Sequence, residues 1–484
     1  MGNKPVFRGL LTSIWDSRWT EPQHSLLSSP FRGARSSLLP LTPEAGPPGR
    51  ALSGGPIPPS ARYQVADYAL ITKPAELDDL VRRLARERVI AVDTEADSFY
   101  HYFEKLCLVQ IGYRGGIALV DPLDLPKDGL EPLRPILADP GIRKIFHAAD
   151  YDLYVLSRYG GFRVHNIFDT MISAQLLGYP AVGLAALAER HFGVHMSKDQ
   201  QRTDWSRREL KTVQLEYAAG DVRYLAELSQ KLERELRAKK RLVWAQSEFR
   251  ALEERVWPER EFDTDGYMRI KGSRQLPPRG LAVLRELFLM RDARAREMDR
   301  PPFKVLGNGT LLDLAKNPPR SRRTLGECRG VTELVVRRLG KEIIDAIKRG
   351  LQAPETPAPE PKRSGNGRRR LDRRAEVRLE RLKKWRARRA EELELDPGVF
   401  CPNVTLEEIA WGNPTSAAEC AKLKPVKPWW AESFAAEVVL ALQPEEQPEP
   451  DPKPEAKAGA DADPRRPAGR RRGGRGRKRR SGKR

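Results

Sequence analysis

Cysteine is scarce. The 484-residue chain holds four, Cys107, Cys328, Cys401 and Cys420, far apart and with no Cys-x-x-Cys pair. That argues against a disulfide framework or a cysteine-based zinc site and points to a reducing compartment. Long apolar runs are missing too. None reaches the roughly 18 residues of a membrane span, and no signal-peptide core is present. The opening Met-Gly-Asn-Lys-Pro-Val has no Ser or Thr at position 6, so it does not fit myristoylation. Acids are absent from residues 465–484, which carry twelve Arg or Lys. The whole chain has 87 Lys and Arg against 66 acids, a formal charge of +21, and more than half of that excess sits in the tail. Such a balance favours a polyanionic partner, nucleic acid before an anionic membrane surface.

Composition divides the rest. Residues 1–62 are rich in Pro, Ser, Gly and Arg and have little periodicity, so disorder is expected. Either an organellar leader or translation from a start codon assigned too far upstream accounts for them equally well. Globular texture begins at Tyr63. The apolar periodicity predicts a helix at 76–84 and strands at 89–93, 106–112, 117–120 and 143–148. Tyr113-Arg114-Gly115-Gly116 forms the turn of a hairpin. Helices are expected at 152–156, 170–177, 184–192 and 210–236. A hairpin-rich first half and a helical second half predict a mixed sheet with helices packed on it.

The chemistry concentrates at three places. The run Val89-Ile90-Ala91-Val92 leads into Asp93-Thr94-Glu95. Residues two apart on a strand share a face, so Asp93 and Glu95 aim at one spot. Two anions that close favour a hard cation between them, Mg²⁺ or Mn²⁺. Two solvated acids at a strand end would look the same. The second place is Phe146-His147-Ala148-Ala149-Asp150-Tyr151-Asp152-Leu153, a strand-to-helix corner. Either acid there also suits a helix N-terminus. The third is Tyr217-Ala218-Ala219-Gly220-Asp221, where Tyr217 and Asp221 share a helix face. His191 and His195 are four apart, but no His-Glu-x-x-His order surrounds them and Gly193 marks a helix end, so they do not read as a zinc pair. His147 is expected to pack behind the site.

Taken together and in this order, Asp-x-Glu, His-Ala-x-x-x-Asp-Leu and Tyr-x-x-x-Asp resemble the ribonuclease D family of 3′→5′ exonucleases. That family belongs to the Asp-Glu-Asp-Asp superfamily, in the branch whose third motif carries a tyrosine. Leu108-Val109-Gln110-Ile111-Gly112, Phe168-Asp169-Thr170 and the segment Lys198-x-x-Gln201-x-Thr203-Asp204-Trp205-Ser206 agree with it. The resemblance covers about residues 64–245, and Gly220 departs from it, where the family more often has a larger residue. It implies a ribonuclease-H-like α/β exonuclease domain and two divalent ions, Mg²⁺ or Mn²⁺. Asp93, Glu95, Asp152 and Asp221 would hold the metal, with Asp150 the substitute for Asp152 if the helix register differs. Tyr217 would position and help deprotonate the attacking water. Two ions about 4 Å apart stabilise both the entering and the leaving oxygen of a phosphodiester hydrolysis. Gln110, Lys198, Gln201 and Trp205 are candidate substrate contacts, and packing of the loop by Trp205 accounts for that segment as well.

After Pro258 the pattern is helical, at 281–298, 311–315 and 334–344. With Asp299-Arg300-Pro301-Pro302-Phe303 and Leu314-Ala315-Lys316 this stretch resembles the helicase-and-RNase-D C-terminal (HRDC) domain. Residues 378–393, 406–410 and 434–442 repeat the rhythm as a diverged second copy. The expected organisation is 63–245 exonuclease, 275–352 HRDC, 353–371 linker, 372–442 second HRDC-like unit, and 443–484 a disordered tail, basic at its end, that binds phosphates without sequence preference. The expected protein is a cytoplasmic 3′→5′ exoribonuclease that releases nucleoside 5′-monophosphates. RNA is the expected partner, the resemblance implying tRNA precursors and small structured RNAs, with no membrane and a monomeric state. A DNA-directed exonuclease of the same superfamily and a non-catalytic RNA-binding scaffold are the alternatives.

Overall fold

Six strands build one mixed sheet. In the computed structural model, which describes residues 68–258, 261–355 and 371–443, the α/β part runs as follows: β1 (Tyr68–Ile71), α1 (Pro74–Leu84), β2 (Val89–Ala96), β3 (Leu106–Tyr113), β4 (Gly116–Val120), α2 (Arg134–Ala138), β5 (Arg143–Phe146), α3 (Asp150–Gly160), β6 (Ile167–Asp169), α4 (Thr170–Leu177), α5 (Leu184–Phe192), α6 (Thr212–Arg223), α7 (Leu225–Ala238) and α8 (Leu242–Glu253). Residues 1–62, most of the 353–371 linker and nearly all of the 443–484 tail lie outside the described residues.

The strand order is β1-β4-β3-β2-β5-β6. β2, β3 and β4 form an antiparallel meander, while β1, β5 and β6 join in parallel. Gly115 closes the β3–β4 turn at φ +96°, a conformation that costs glycine little. Alternation along β2 sorts its side chains. Ile90 and Val92 enter the core shared with α1 and α3, and Ala91 enters the opposite core under α6 and α7. Asp93 and Glu95 continue the Ala91 face and Thr94 the other. In α1, Leu77, Leu80 and Leu84 recur at helical spacing and are buried.

Two departures from the sequence reading have physical causes. The single helix expected at 210–236 is two, α6 and α7, with Tyr224 between them at φ −101°, ψ −6°. Its ring stacks on Phe192 at 5.3 Å between centroids. Both halves bury apolar residues in the same core, so the periodicity runs through the break and hides it. β1 and β6 were not expected, being four and three residues long, too short for a period to show.

Ten more helices form two repeated units: α9 (Pro278–Glu297), α10 (Pro302–Val305), α11 (Asn308–Lys316), α12 (Arg322–Gly326) and α13 (Glu333–Gln352), then α14 (Arg373–Glu392), α15 (Pro397–Phe400), α16 (Asn403–Gly412), α17 (Ala417–Ala421) and α18 (Pro428–Leu442). The repetition extends to single hydrogen bonds. Arg291 donates to the Leu306 carbonyl and Asn308 Oδ1 at 2.9 and 2.8 Å. Arg386 donates to the Cys401 carbonyl and Asn403 Oδ1, both at 2.8 Å. Each residue of the first set is separated from its counterpart by the same number of positions. The first unit has a core of its own. The second shares the hydrophobic cluster on the back of the sheet, with Trp244 stacked on Trp429 at 4.8 Å.

Candidate active site

β2 delivers Asp93 and Glu95, and its ladder with β3 slips just beyond them, between Glu95 and Ala96. α6 crosses this face of the sheet at close range. A Cβ on Gly112 would lie 3.2 Å from the Val222 carbonyl oxygen and 3.3 Å from the Ala91 Cβ. The bare glycine thus lets the helix backbone approach the strands, and the helix brings Tyr217 and Asp221 with it. One carboxylate oxygen from each of Asp93, Glu95 and Asp221 lies within 4.8 Å of the others.

Asp152 enters from the first turn of α3. Thr94 Oγ1 donates to its Oδ1 at 2.6 Å, and it is 5% exposed. Asp150, two residues earlier, turns away to a salt bridge with Arg255. The helix register therefore presents Asp152 and not Asp150 to the cluster. The corner before α3 is fixed from behind. Asp169, 1% exposed, accepts the Ala149 N–H at 2.8 Å and the Ile172 N–H at 2.9 Å, so one buried carboxylate ties the start of α3 to the start of α4.

Four acids this close cannot all carry charge cheaply. Burial and then the charge of Asp221 push the Asp93 carboxyl well above its usual range. Burial, then Asp93, Asp221 and Asp152, do the same for Glu95. Burial and Asp93 raise Asp152. Asp221 is pushed up to about 7 by burial and Asp152, against the hydrogen bond from the Tyr217 hydroxyl. Burial first, then Asp221, Glu95 and Asp93, raise the Tyr217 phenol and keep it protonated. His147 is held neutral by burial, with its pKa brought down to about 4, and its Nδ1 lies 2.9 Å from Thr170 Oγ1.

The other residues singled out in the sequence divide. Gln110 is the register partner of Asp93 on β3. It is fully buried, and neither side-chain amide atom has a hydrogen-bond partner. Lys198 and Gln201 are exposed. Trp205 is not placed to stack on a base. It is 1% exposed, with its ring 6.2 Å from that of Tyr217, because an indole this large gains more by closing the core under α6 than by facing solvent. His191 bonds the Tyr179 hydroxyl at 3.2 Å. Thr94 and Asp169 were not picked out as functional. Thr94 carries no signal beyond its place between two acids, and Asp169 is marked only as an acid immediately before a helix.

Comparison with known proteins gives the fold and the family. A family model for 3′-5′ exonucleases matches residues 68–237, and the HRDC domain model matches 280–347 and 375–442. The chain is 32% identical over 309 residues to ribonuclease D of Sphingobium indicum, an alignment spanning 62% of this chain and 78% of that protein. It is 33% identical over 292 residues to ribonuclease D of a Shewanella species, spanning 60% and 74%. The crystal structure of Escherichia coli RNase D, described as an exoribonuclease involved in structured RNA processing, superposes with a TM-score of 0.57 at 28% identity. That match covers 78% of this chain and 98% of the other. The chain belongs to the ribonuclease D family and is a 3′→5′ exoribonuclease.

Proposed function

We propose that this exoribonuclease works by a two-metal mechanism at Asp93, Glu95, Asp152 and Asp221 and trims the 3′ ends of tRNA precursors and other small structured RNAs. One observation carries the metal reading: three carboxylates, each with a pKa raised by burial, converge within 4.8 Å. A cluster that resists ionisation alone becomes favourable around divalent cations, and an all-oxygen donor set suits Mg²⁺ or Mn²⁺. When bound, two such ions supply charge stabilisation to the entering and leaving oxygens of the scissile phosphate.

The chain's own groups do the rest. Asp93 and Glu95, fixed on a central strand, set the floor of the site. Thr94 orients Asp152 through the 2.6 Å bond. Tyr217 donates to Asp221, which places its hydroxyl to orient that carboxylate and the attacking water and to help remove the water's proton. Gln110 holds an unpartnered amide beside Asp93, but it is fully buried and so lies beneath the carboxylates and does not face the nucleotide. Lys198 and Gln201, exposed on the loop before α6, suit the RNA backbone. Tight binding of the folded RNA body falls to the helical units and the basic residues. Among the described residues no helix is long and apolar enough to cross a membrane, and the four cysteines are free.

The test is digestion of a 5′-labelled tRNA precursor with a short 3′ trailer, in Mg²⁺, Mn²⁺ or chelator. A ladder shortening from the 3′ end only with metal, and absent with Asp221→Ala, is expected. Activity that survives Asp221→Ala sinks the carboxylate assignment. A matched DNA strand digested as fast as RNA would overturn the substrate reading.

A further inference from the structure

The loop between β2 and β3 leaves directly from the strand that carries Asp93 and Glu95. Its base is stitched where Lys105 N–H bonds Asp97 Oδ1 at 2.7 Å and Asp97 N–H bonds the Lys105 carbonyl at 3.3 Å. Between these ends it touches the neighbours of the other site residues. Tyr151, adjacent to Asp152, donates to Ser98 Oγ at 3.1 Å and to Glu104. Tyr100 donates to the Arg202 carbonyl at 2.8 Å. His101 Nε2 lies 3.0 Å from Ser206 Oγ, and that hydroxyl donates to Asp204 Oδ1 at 2.6 Å. Ser206 and Asp204 flank Trp205, which packs on Tyr217. One loop thus spans from the Glu95 strand to the segments that hold Asp152 and Tyr217.

What fixes the far side of this loop is not the α/β domain. Asp299, just past the end of α9 in the first helical unit, accepts the N–H groups of Tyr102 and Phe103 at 3.0 and 3.1 Å on Oδ1. Its Oδ2 lies 2.7 Å from His101 Nδ1. Tyr102 donates to Asp292 at 2.9 Å and accepts from Arg296 at 3.2 Å. The second unit uses the same corner elsewhere. Glu394, the counterpart of Asp299, bonds Lys239 Nζ at 2.7 Å, away from the carboxylates. Both residues adopt positive φ, +43° and +52°.

We propose that Asp299 is a positioning residue for catalysis. The first helical unit sets the geometry of the carboxylate and tyrosine site through the His101–Phe103 loop, in addition to any hold it has on RNA. The inference rests on the site reading above. A carboxylate that grips two backbone N–H groups and a histidine orders three consecutive residues at once. Misplacement of reacting groups by even 1 Å is costly in rate.

The experiment compares wild type, Asp299→Ala, Asp299→Asn, Tyr102→Phe and Glu394→Ala in full-length protein on two substrates. One is a single-stranded RNA long enough to reach the helical unit. The other is a 5′-labelled RNA dinucleotide that is not. Circular dichroism and melting temperature confirm folding, and filter binding in chelator gives the Kd. For Asp299→Ala, kcat should fall about tenfold or more on both substrates, with KM and Kd for the long RNA within about twofold. Asp299→Asn should recover most of the rate, because its amide oxygen still accepts the two N–H bonds. Glu394→Ala should match wild type. Tyr102→Phe, which loses only a hydroxyl, should show a smaller fall in the same direction and serves if Asp299→Ala fails to fold. Unchanged dinucleotide turnover in Asp299→Ala, with weakened binding of the long RNA, would overturn the proposal and leave the unit as an RNA holder. Unchanged turnover on both substrates would also overturn it. Asp221→Ala is run alongside: its activity tests the site reading, independently of the Asp299 series.

Discussion

Replacing Asp221 by Asn should make the metal-free protein more stable while abolishing its activity. Asp221, Asp93 and Glu95 offer oxygens within 4.8 Å of one another. At that separation and an effective dielectric of about 20, each charged pair repels by roughly 3 kcal/mol. Since the cluster is partly protonated near neutrality, relief of about 2 kcal/mol at pH 8 is a fair expectation. At about 2–4 °C per kcal/mol for a domain of this size, the variant should melt about 4–8 °C higher in chelator. The sign with pH follows from the direction of the shift. Asp221 holds its proton more tightly in the folded protein, with a pKa of about 7, than in the unfolded chain, where the ordinary value is 3.8. Its contribution to stability is full below the unfolded value and is lost as pH rises through about 7. Wild type without metal should therefore weaken between pH 4 and 8, the Asn variant by less but still measurably because Asp93, Glu95 and Asp152 keep pKa values raised by burial, and the two curves should meet at the acid end. Millimolar Mg²⁺ should reverse the order. A ligand at 100 times its Kd adds about 2.7 kcal/mol, available to wild type and largely denied to the variant. Differential scanning fluorimetry at pH 5, 6, 7 and 8, with chelator or Mg²⁺, reads all of this. A variant no more stable than wild type in chelator at pH 8 would refute the repulsion argument, and one that still shortens RNA would refute the site.

Three further outcomes are expected. Gly220→Ala should stabilise by about 0.5–1 kcal/mol, because an added Cβ would meet only the Met196 methyl at 3.9 Å; chemical denaturation with unchanged activity is the check. Gly178→Ala should be strongly destabilising. Its φ of +82° alone costs about 1–2 kcal/mol for an L side chain, and the Cβ would fall 1.9 Å from the Glu394 carbonyl oxygen, so the second helical unit must shift, which limited proteolysis would detect. Thr94→Val keeps the shape but removes the donor to Asp152. A lost hydrogen bond to a charged group is worth about 1.5–3 kcal/mol, so the melting temperature in chelator should fall by several degrees and the Mg²⁺ concentration for half-maximal rate should rise about tenfold or more.

Much of the site was legible because its residues sit at spacings that regular structure converts into shared faces. Asp93 and Glu95 fall on one side of a strand by alternation, and Tyr217 and Asp221 on one side of a helix by the i, i+4 rule. Which acid of the α3 corner turns inward was not legible from spacing alone. Asp150 and Asp152 both suit a helix N-terminus, and the choice is made by Arg255, about a hundred residues away, and by Thr94. Trp205 shows the opposite failure. An aromatic in a loop beside basic residues looks like a stacking platform, but the core beneath α6 takes it. The break at Tyr224 was invisible because both helices bury apolar residues in the same core, and the contact that shapes it, Phe192, lies on another helix.

The two helical units bear on the α/β domain in physically different ways, although they share one fold and dock by the same corner. The second cannot separate without exposing Trp244, Trp429 and Phe434, which pack together, and without breaking the bonds from Lys427 and Trp429 to Glu248, at 2.8 and 2.5 Å. At about 25 cal/mol per Å² of apolar surface, an interface anchored by stacked indoles behaves as core. The first unit keeps its own core, and the bonds it makes to the β2–β3 loop are polar: Asp299 to three groups of that loop, Tyr102 to Asp292 and Arg296. Part-buried and exposed hydrogen bonds of this kind contribute only about 1 kcal/mol each in net stability, because the same groups bond water in the unfolded chain. Their effect is directional. A hydrogen-bonded carboxylate fixes where the loop sits without greatly deepening the free-energy minimum, so removing it should register in turnover well before it registers in melting temperature. The same duplicated helical fold thus serves as permanent scaffold in one copy and as a geometric clamp beside the carboxylates in the other.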